Sequence, residues 1–77
     1  MAKLKVLSGT DVCKILSDHE FTEIRRKGSH VIMQKKIHDG TITVPVPDHK
    51  KIRKGTLQSI IRQAKLPRKE FELPANG

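Results

Sequence analysis

The sequence predicts a small α+β domain, with two amphipathic helices on one face of a three-stranded antiparallel sheet in the order α-β-β-β-α. Three observations carry this. Residues Thr41 to Val46 alternate, with Ile42, Val44 and Val46 on one side and Thr41, Thr43 and Pro45 on the other. Leu57, Ile60, Ile61 and Ala64 follow the i, i+3, i+4, i+7 template of a helix with one apolar face. Lys27-Gly28-Ser29 and His38-Asp39-Gly40 are turn signals that separate three strand-like stretches.

A first helix is expected from Gly9 to Asp18. Ser8 supplies a capping hydroxyl, Asp11 places a negative charge in the first turn, and Val12, Ile15 and Leu16 recur at helical spacing. Phe21 to Arg26 reads as a strand of weak periodicity. His30 to Lys36 is a second strand rich in β-formers, and Thr41 to Val46 a third. Pro45 lacks a backbone donor, which places the third strand at a sheet edge. A basic connection from Pro47 to Lys54 leads into the second helix, which Gly55 and Thr56 open. Pro67 ends that helix and starts a turn that returns Phe71 to the core. Pro74 to Gly77 reads as a frayed tail.

The chain has 77 residues, enough for one domain, taken as 1–77 with its core at about 7–71. A core this small yields about 3–5 kcal/mol, so function is expected near the surface rather than in a deep cleft. The longest apolar run is Val31, Ile32, Met33, far short of the roughly 20 residues of a membrane span. Met1 to Leu7 lacks the apolar stretch of a secretion signal, so a cytoplasmic location is expected, with no membrane partner. Cys13 is the sole thiol and reads as a packing residue rather than a nucleophile. The spacing of His19, His30, His38 and His49 matches no zinc site, so neither metal nor cofactor is expected. Sixteen basic against eight acidic side chains leave a charge of +8, which attracts polyanions, nucleic acid foremost. Phe21 and Phe71 are the only aromatics, so phosphate contacts are favoured over base stacking.

The element order resembles the double-stranded RNA-binding fold. Three segments make a narrower resemblance: Gly28-Ser29-His30 at the start of the second strand, Thr43-Val44-Pro45-Val46-Pro47 followed by His49, and Gly55-Thr56-Leu57 opening the last helix. In this order they resemble the HicA (YcfA-like) toxins of toxin–antitoxin systems, and the likeness extends from about Leu7 to Phe71. Two positions depart from the family pattern. Glu20 stands where Gly commonly precedes the Phe at 21, and Lys65 where Gly often precedes the apolar residue after the last helix.

The resemblance implies a double-stranded-RNA-binding-like domain that cleaves messenger RNA without a metal and is inhibited by a HicB-type antitoxin, with His30 as the catalytic histidine. The chemistry is coherent. RNA carries its own nucleophile, the ribose 2′-hydroxyl, and an ordinary imidazole, titrating near about 6.5, can act as its general base, worth about 10²–10⁴-fold. Gly28 can adopt positive φ and bring backbone N–H groups to a phosphate, and Ser29 adds a hydroxyl. Read locally, Gly28-Ser29 is an ordinary turn and His30 a structural histidine; the family pattern reverses that preference. His49 is either the acid for the leaving oxygen or a brace for the connection. Arg25, Arg26 and Lys27, then Lys50, Lys51, Arg53 and Lys54, are the candidate RNA-binding cations, with Lys35 and Lys36 on the second strand. His19 and His38 read as structural. Two rival readings are a non-catalytic basic RNA-binding module and a protein-interaction domain meeting an acidic partner.

Overall fold

A computed structural model describes residues 3–72; the expected tail from Pro74 to Gly77 lies outside them. The order is α1 (Gly9–Asp18), β1 (Thr22–Lys27), β2 (His30–Ile37), β3 (Gly40–Pro47), α2 (Lys54–Ala64) and a closing 3₁₀ turn (Arg68–Phe71). The antiparallel sheet has the order β1-β2-β3. The expected architecture is therefore present, with boundaries displaced by a residue. Phe21 precedes β1 rather than opening it, because its N–H is spent on the Leu16 carbonyl at the end of α1 while its ring enters the core. Lys27 belongs to β1 and Gly40 to β3, which leaves the two-residue loops Gly28-Ser29 and His38-Asp39.

Val31, Met33, Val44 and Val46 are buried on the one sheet face that both helices cover, against Val12 and Leu16 of α1 and Leu57, Ile60 and Ile61 of α2. Phe71 is fully buried, so the closing turn seals this layer as the sequence implies. Extended Lys3–Leu7 joins it on two sides. Lys5 N–H donates to the Phe71 carbonyl at 2.8 Å, and Ile52 N–H to that of Leu7 at 2.8 Å. No helix among the described residues is long and apolar enough to cross a membrane.

Position β3 at the edge and the prolines become intelligible. Lys27 and His30 flank a two-residue loop, so His30 spends its backbone groups on β1, as does Ile32 two residues on. Their partners on β3 are Pro47 and Pro45, which therefore face β2 without needing a donor and leave the outer edge short of N–H groups.

Both helices are closed by specific caps. At α1, Ser8 Oγ accepts from Asp11 N–H and the Asp11 carboxylate accepts from Ser8 N–H, each at 3.0 Å. Those bonds to Ser8, the backbone one first, hold the Asp11 carboxyl below its ordinary value. Its support for the cap is thus complete above the ordinary carboxylate range and lost as pH falls through the lowered value. At the other end Phe21 N–H donates to the Leu16 carbonyl and Glu20 N–H to that of Ser17; α2 repeats the pattern with Leu66 to Ile61 and Lys65 to Arg62. This is the Schellman arrangement, which needs a left-handed residue just past the helix. The residues there are Glu20 (φ 72°) and Lys65 (φ 58°), the two non-glycine residues with positive φ among those described. They are also the two positions at which the resemblance described above leads one to expect glycine.

Glu20→Gly and Lys65→Gly should therefore each raise stability, by about 0.5–1 kcal/mol, because glycine removes the Cβ penalty of the left-handed backbone. Both side chains are exposed, so little packing is lost. Urea denaturation checks this, with Ala at the same positions as the control that brings no gain.

Candidate functional site

The candidate site grows from the β1–β2 loop. Gly28 takes φ 61° at the first loop position, the pattern of a type II′ turn, and a Cβ there would meet nothing within 4 Å. Glycine is thus required by backbone conformation and not by space. Ser29 follows, and its carbonyl accepts from Asp48 N–H at 2.7 Å. The loop is thereby fastened to the chain leaving β3.

His30 opens β2, and strand alternation decides where it points. Val31 and Met33 face the helices, so His30, Ile32 and Gln34 face the other way. The His30 side chain is exposed, with no hydrogen-bond partner among the described residues. Lys27 pairs with His30, and Arg25 with Ile32, so both cations share its face. Arg26 does not. It pairs with Val31, lies on the helix side, and its guanidinium is bound to the Asp48 carboxylate at 2.7 Å. That hydrogen bond, then the charge of Asp48, raise the already high Arg26 pKa; it is the 2.7 Å contact that points this cation at Asp48. Of three neighbouring cations the structure brings two to His30 and diverts the third.

The other candidates lie beyond β3. His49, Lys51 and Arg53 line a hollow of about 340 Å³ with Pro47, Ile52 and Thr56. It touches the residue paired with His30, so His49 stands at the same end of the sheet. Lys50 and Lys54 are exposed on either side. Lys36 lies on the His30 face at the far end of β2, and Lys35 is drawn over the Phe21 ring, 5.8 Å from its centre. Cys13 is partly buried against the core, and burial is the first cause that raises its thiol pKa. His19 ties α1 to the closing turn, with Nδ1 2.9 Å from the Ile15 carbonyl and Nε2 3.3 Å from the Glu70 carboxylate. No three His, Cys, Asp or Glu side chains gather as metal ligands among the described residues.

Two residues escape sequence reasoning. Asp48 braces the loop twice, through its backbone to Ser29 and its side chain to Arg26; the signal was a lone carboxylate between Pro47 and His49 in a basic stretch. Gly9 starts α1 with its N–H donating to the His49 carbonyl at 2.8 Å. A Cβ on Gly9 would overlap the Pro47 carbonyl oxygen and meet Asp48 Cα at 3.0 Å, so this glycine is fixed by close approach.

What results is an exposed imidazole beside the Gly28-Ser29 turn, with two cations on the same sheet face. Such a group can exchange protons with an anionic ester held at the turn. A family model described as HicA toxin of bacterial toxin-antitoxin matches residues 9–66, from the start of α1 to the residue after the α2 cap. No curated protein gives a significant match.

Gly9→Ala should destabilise the fold by about 1–3 kcal/mol, the usual penalty of overpacking, because the obstructing atoms are backbone. Equilibrium denaturation measures it; an Ala variant as stable as its parent would contradict the close approach of α1 to Pro47.

Proposed function

The chain belongs to the HicA toxin family, and on that premise we propose that this toxin is a metal-independent endoribonuclease in which His30 is the general base. Membership implies an antitoxin partner; we take it to be of the HicB type and the substrate to be messenger RNA.

The observation that carries the proposal is the exposure of His30 on the sheet face that also bears Arg25 and Lys27, next to the positive-φ Gly28. His30 removes the proton of a ribose 2′-hydroxyl. The 2′-oxygen forms a bond to the adjacent phosphorus, the bond from phosphorus to the 5′-oxygen breaks, and that oxygen leaves with a proton. The products are a 2′,3′-cyclic phosphate and a free 5′-hydroxyl. Arg25 and Lys27 offset the charge that grows on the phosphoryl oxygens, while the backbone of Gly28 and the hydroxyl of Ser29 orient them. His49, at the same end of the sheet, is our candidate for the acid; the alternative is that His30 itself returns the proton through water. Lys50, Lys51, Arg53 and Lys54 extend the electrostatic contact along the RNA backbone. Arg26, committed to Asp48, supports the loop instead of meeting substrate.

The test compares the parent with His30→Ala on RNA in the presence of a chelator, scoring binding and cleavage separately. The parent should cut and leave cyclic phosphate ends. His30→Ala should bind equally and cut at least about 10²-fold more slowly, the lower bound for a lost general base. Ser29→Ala should lose less. Binding without cutting by the parent would favour the non-catalytic RNA-binding module, and 3′-hydroxyl ends would exclude the 2′-hydroxyl mechanism. Arg26→Ala should lower stability with little change in RNA affinity, whereas Lys27→Ala should weaken RNA binding and flatten its salt dependence.

A further inference from the structure

A second feature lies apart from the His30 face. Lys3–Val6 and the connection into α2 enclose a cleft of about 290 Å³, lined by Leu4, Val6, Ile52 and Leu57 and by five cations, Lys3, Lys5, Lys51, Arg53 and Lys54. No carboxylate lines it, and none of the five has a carboxylate partner among the described residues. Five like charges around one apolar hollow repel each other in the free chain. Val6 stands 72% exposed, one of three large hydrophobic side chains left exposed among those described. The start of α2 opens beside the cleft with no acidic residue in its first turn and no side-chain cap, so its free N–H groups add to the positive potential.

We propose that this cleft is a docking groove for an acidic, amphipathic segment of the antitoxin, an inference that rests on the toxin reading above. Charge complementarity selects an anionic occupant, and the floor selects its kind. Aliphatic side chains give a phosphate backbone nothing to pair with, whereas they suit leucine-like side chains whose flanking carboxylates reach the cationic rim. The groove shares Lys51, Ile52 and Arg53 with the hollow that reaches Pro47, the strand partner of His30. A segment anchored in the groove therefore holds the rest of the antitoxin within reach of the catalytic end, raising its effective concentration there.

The probe is a labelled synthetic peptide with leucine at every third or fourth position and glutamate between, beside a control in which serine replaces each leucine. Both are titrated against the full chain by fluorescence anisotropy, and purified antitoxin and a single-stranded RNA are then added as competitors. The leucine peptide should bind at least about tenfold more tightly than the serine control. Val6→Asp and Lys3→Glu should each weaken it about tenfold, with folding checked by circular dichroism; both sites are exposed. His30→Ala should bind as the parent does, and antitoxin should displace the peptide. Equal binding of the two peptides, indifference to Val6→Asp, or displacement by RNA but not by antitoxin would each overturn the proposal. RNA cleavage is read on the same preparations: a parent that binds peptide but never cuts removes the nuclease reading alone, and one that cuts without binding peptide removes the groove alone.

Discussion

The candidate site depends on the burial of one neighbour. Val31 is held under the helices, opposite Val46 on β3 and Arg26 on β1, and a strand has a side-chain period of two. His30 must then face outward. A one-residue slip in either hairpin would turn His30 into the core and expose Val31 and Met33, so the energetic demand of the core fixes the orientation of the imidazole. Two-residue loops on both sides of β2 make that slip difficult, because each loop sets the register of its hairpin.

The same end of the sheet is locked by backbone contacts. Pro45 and Pro47 leave the outer edge of β3 with few donors, which discourages pairing with another strand and lets the chain turn away after Pro47. Asp48 then ties back to Ser29, and His49 receives the first N–H of α1 through Gly9. The Gly28-Ser29 loop is thus held from its far side by the segment that carries His49. For the general base proposed here such support matters, because small displacements of such a group are costly in rate.

Much of this was legible in the sequence, for identifiable reasons. Helix α1 begins and ends where the Ser8-Asp11 capping pair and the apolar spacing place it, because capping and amphipathicity are local properties. β3 was legible because it is half-buried, and its alternation records that directly; β1 was legible only as a strand of weak periodicity, since all six residues are exposed and a bulge between Glu23 and Arg25 interrupts the period. The Gly-Ser-His turn was readable as a pattern, but the separation of Arg26 from Arg25 and Lys27 was not. It follows from pairing with Val31 and from a partner 22 positions away, neither of which a run of three cations discloses. Gly9 was hidden for a like reason, since its constraint is the approach of another segment's backbone. Glu20 and Lys65 show the converse case: two departures from a family pattern marked the two left-handed helix ends.

The surplus of +8 is not spread evenly, and its division bears on how the toxin and its partner fit together. Arg25, Lys27 and Lys36 lie on the open sheet face, while five further cations surround the cleft at the start of α2. At physiological salt the repulsion between exposed charges falls off over about 8 Å, so it acts chiefly within each cluster, between near neighbours. A polyanionic substrate running, as proposed, from the His30 face onto Lys51, Arg53 and Lys54 would leave Lys3 and Lys5 uncompensated. An acidic partner seated in the cleft, as proposed, would compete with the substrate for Lys51, Arg53 and Lys54 and would alone relieve Lys3 and Lys5. Because such a partner binds the folded chain and not the unfolded one, its binding adds to a stability that the small core supplies only thinly. On the proposed docking, charge that burdens the free toxin is the charge that would hold it in the complex.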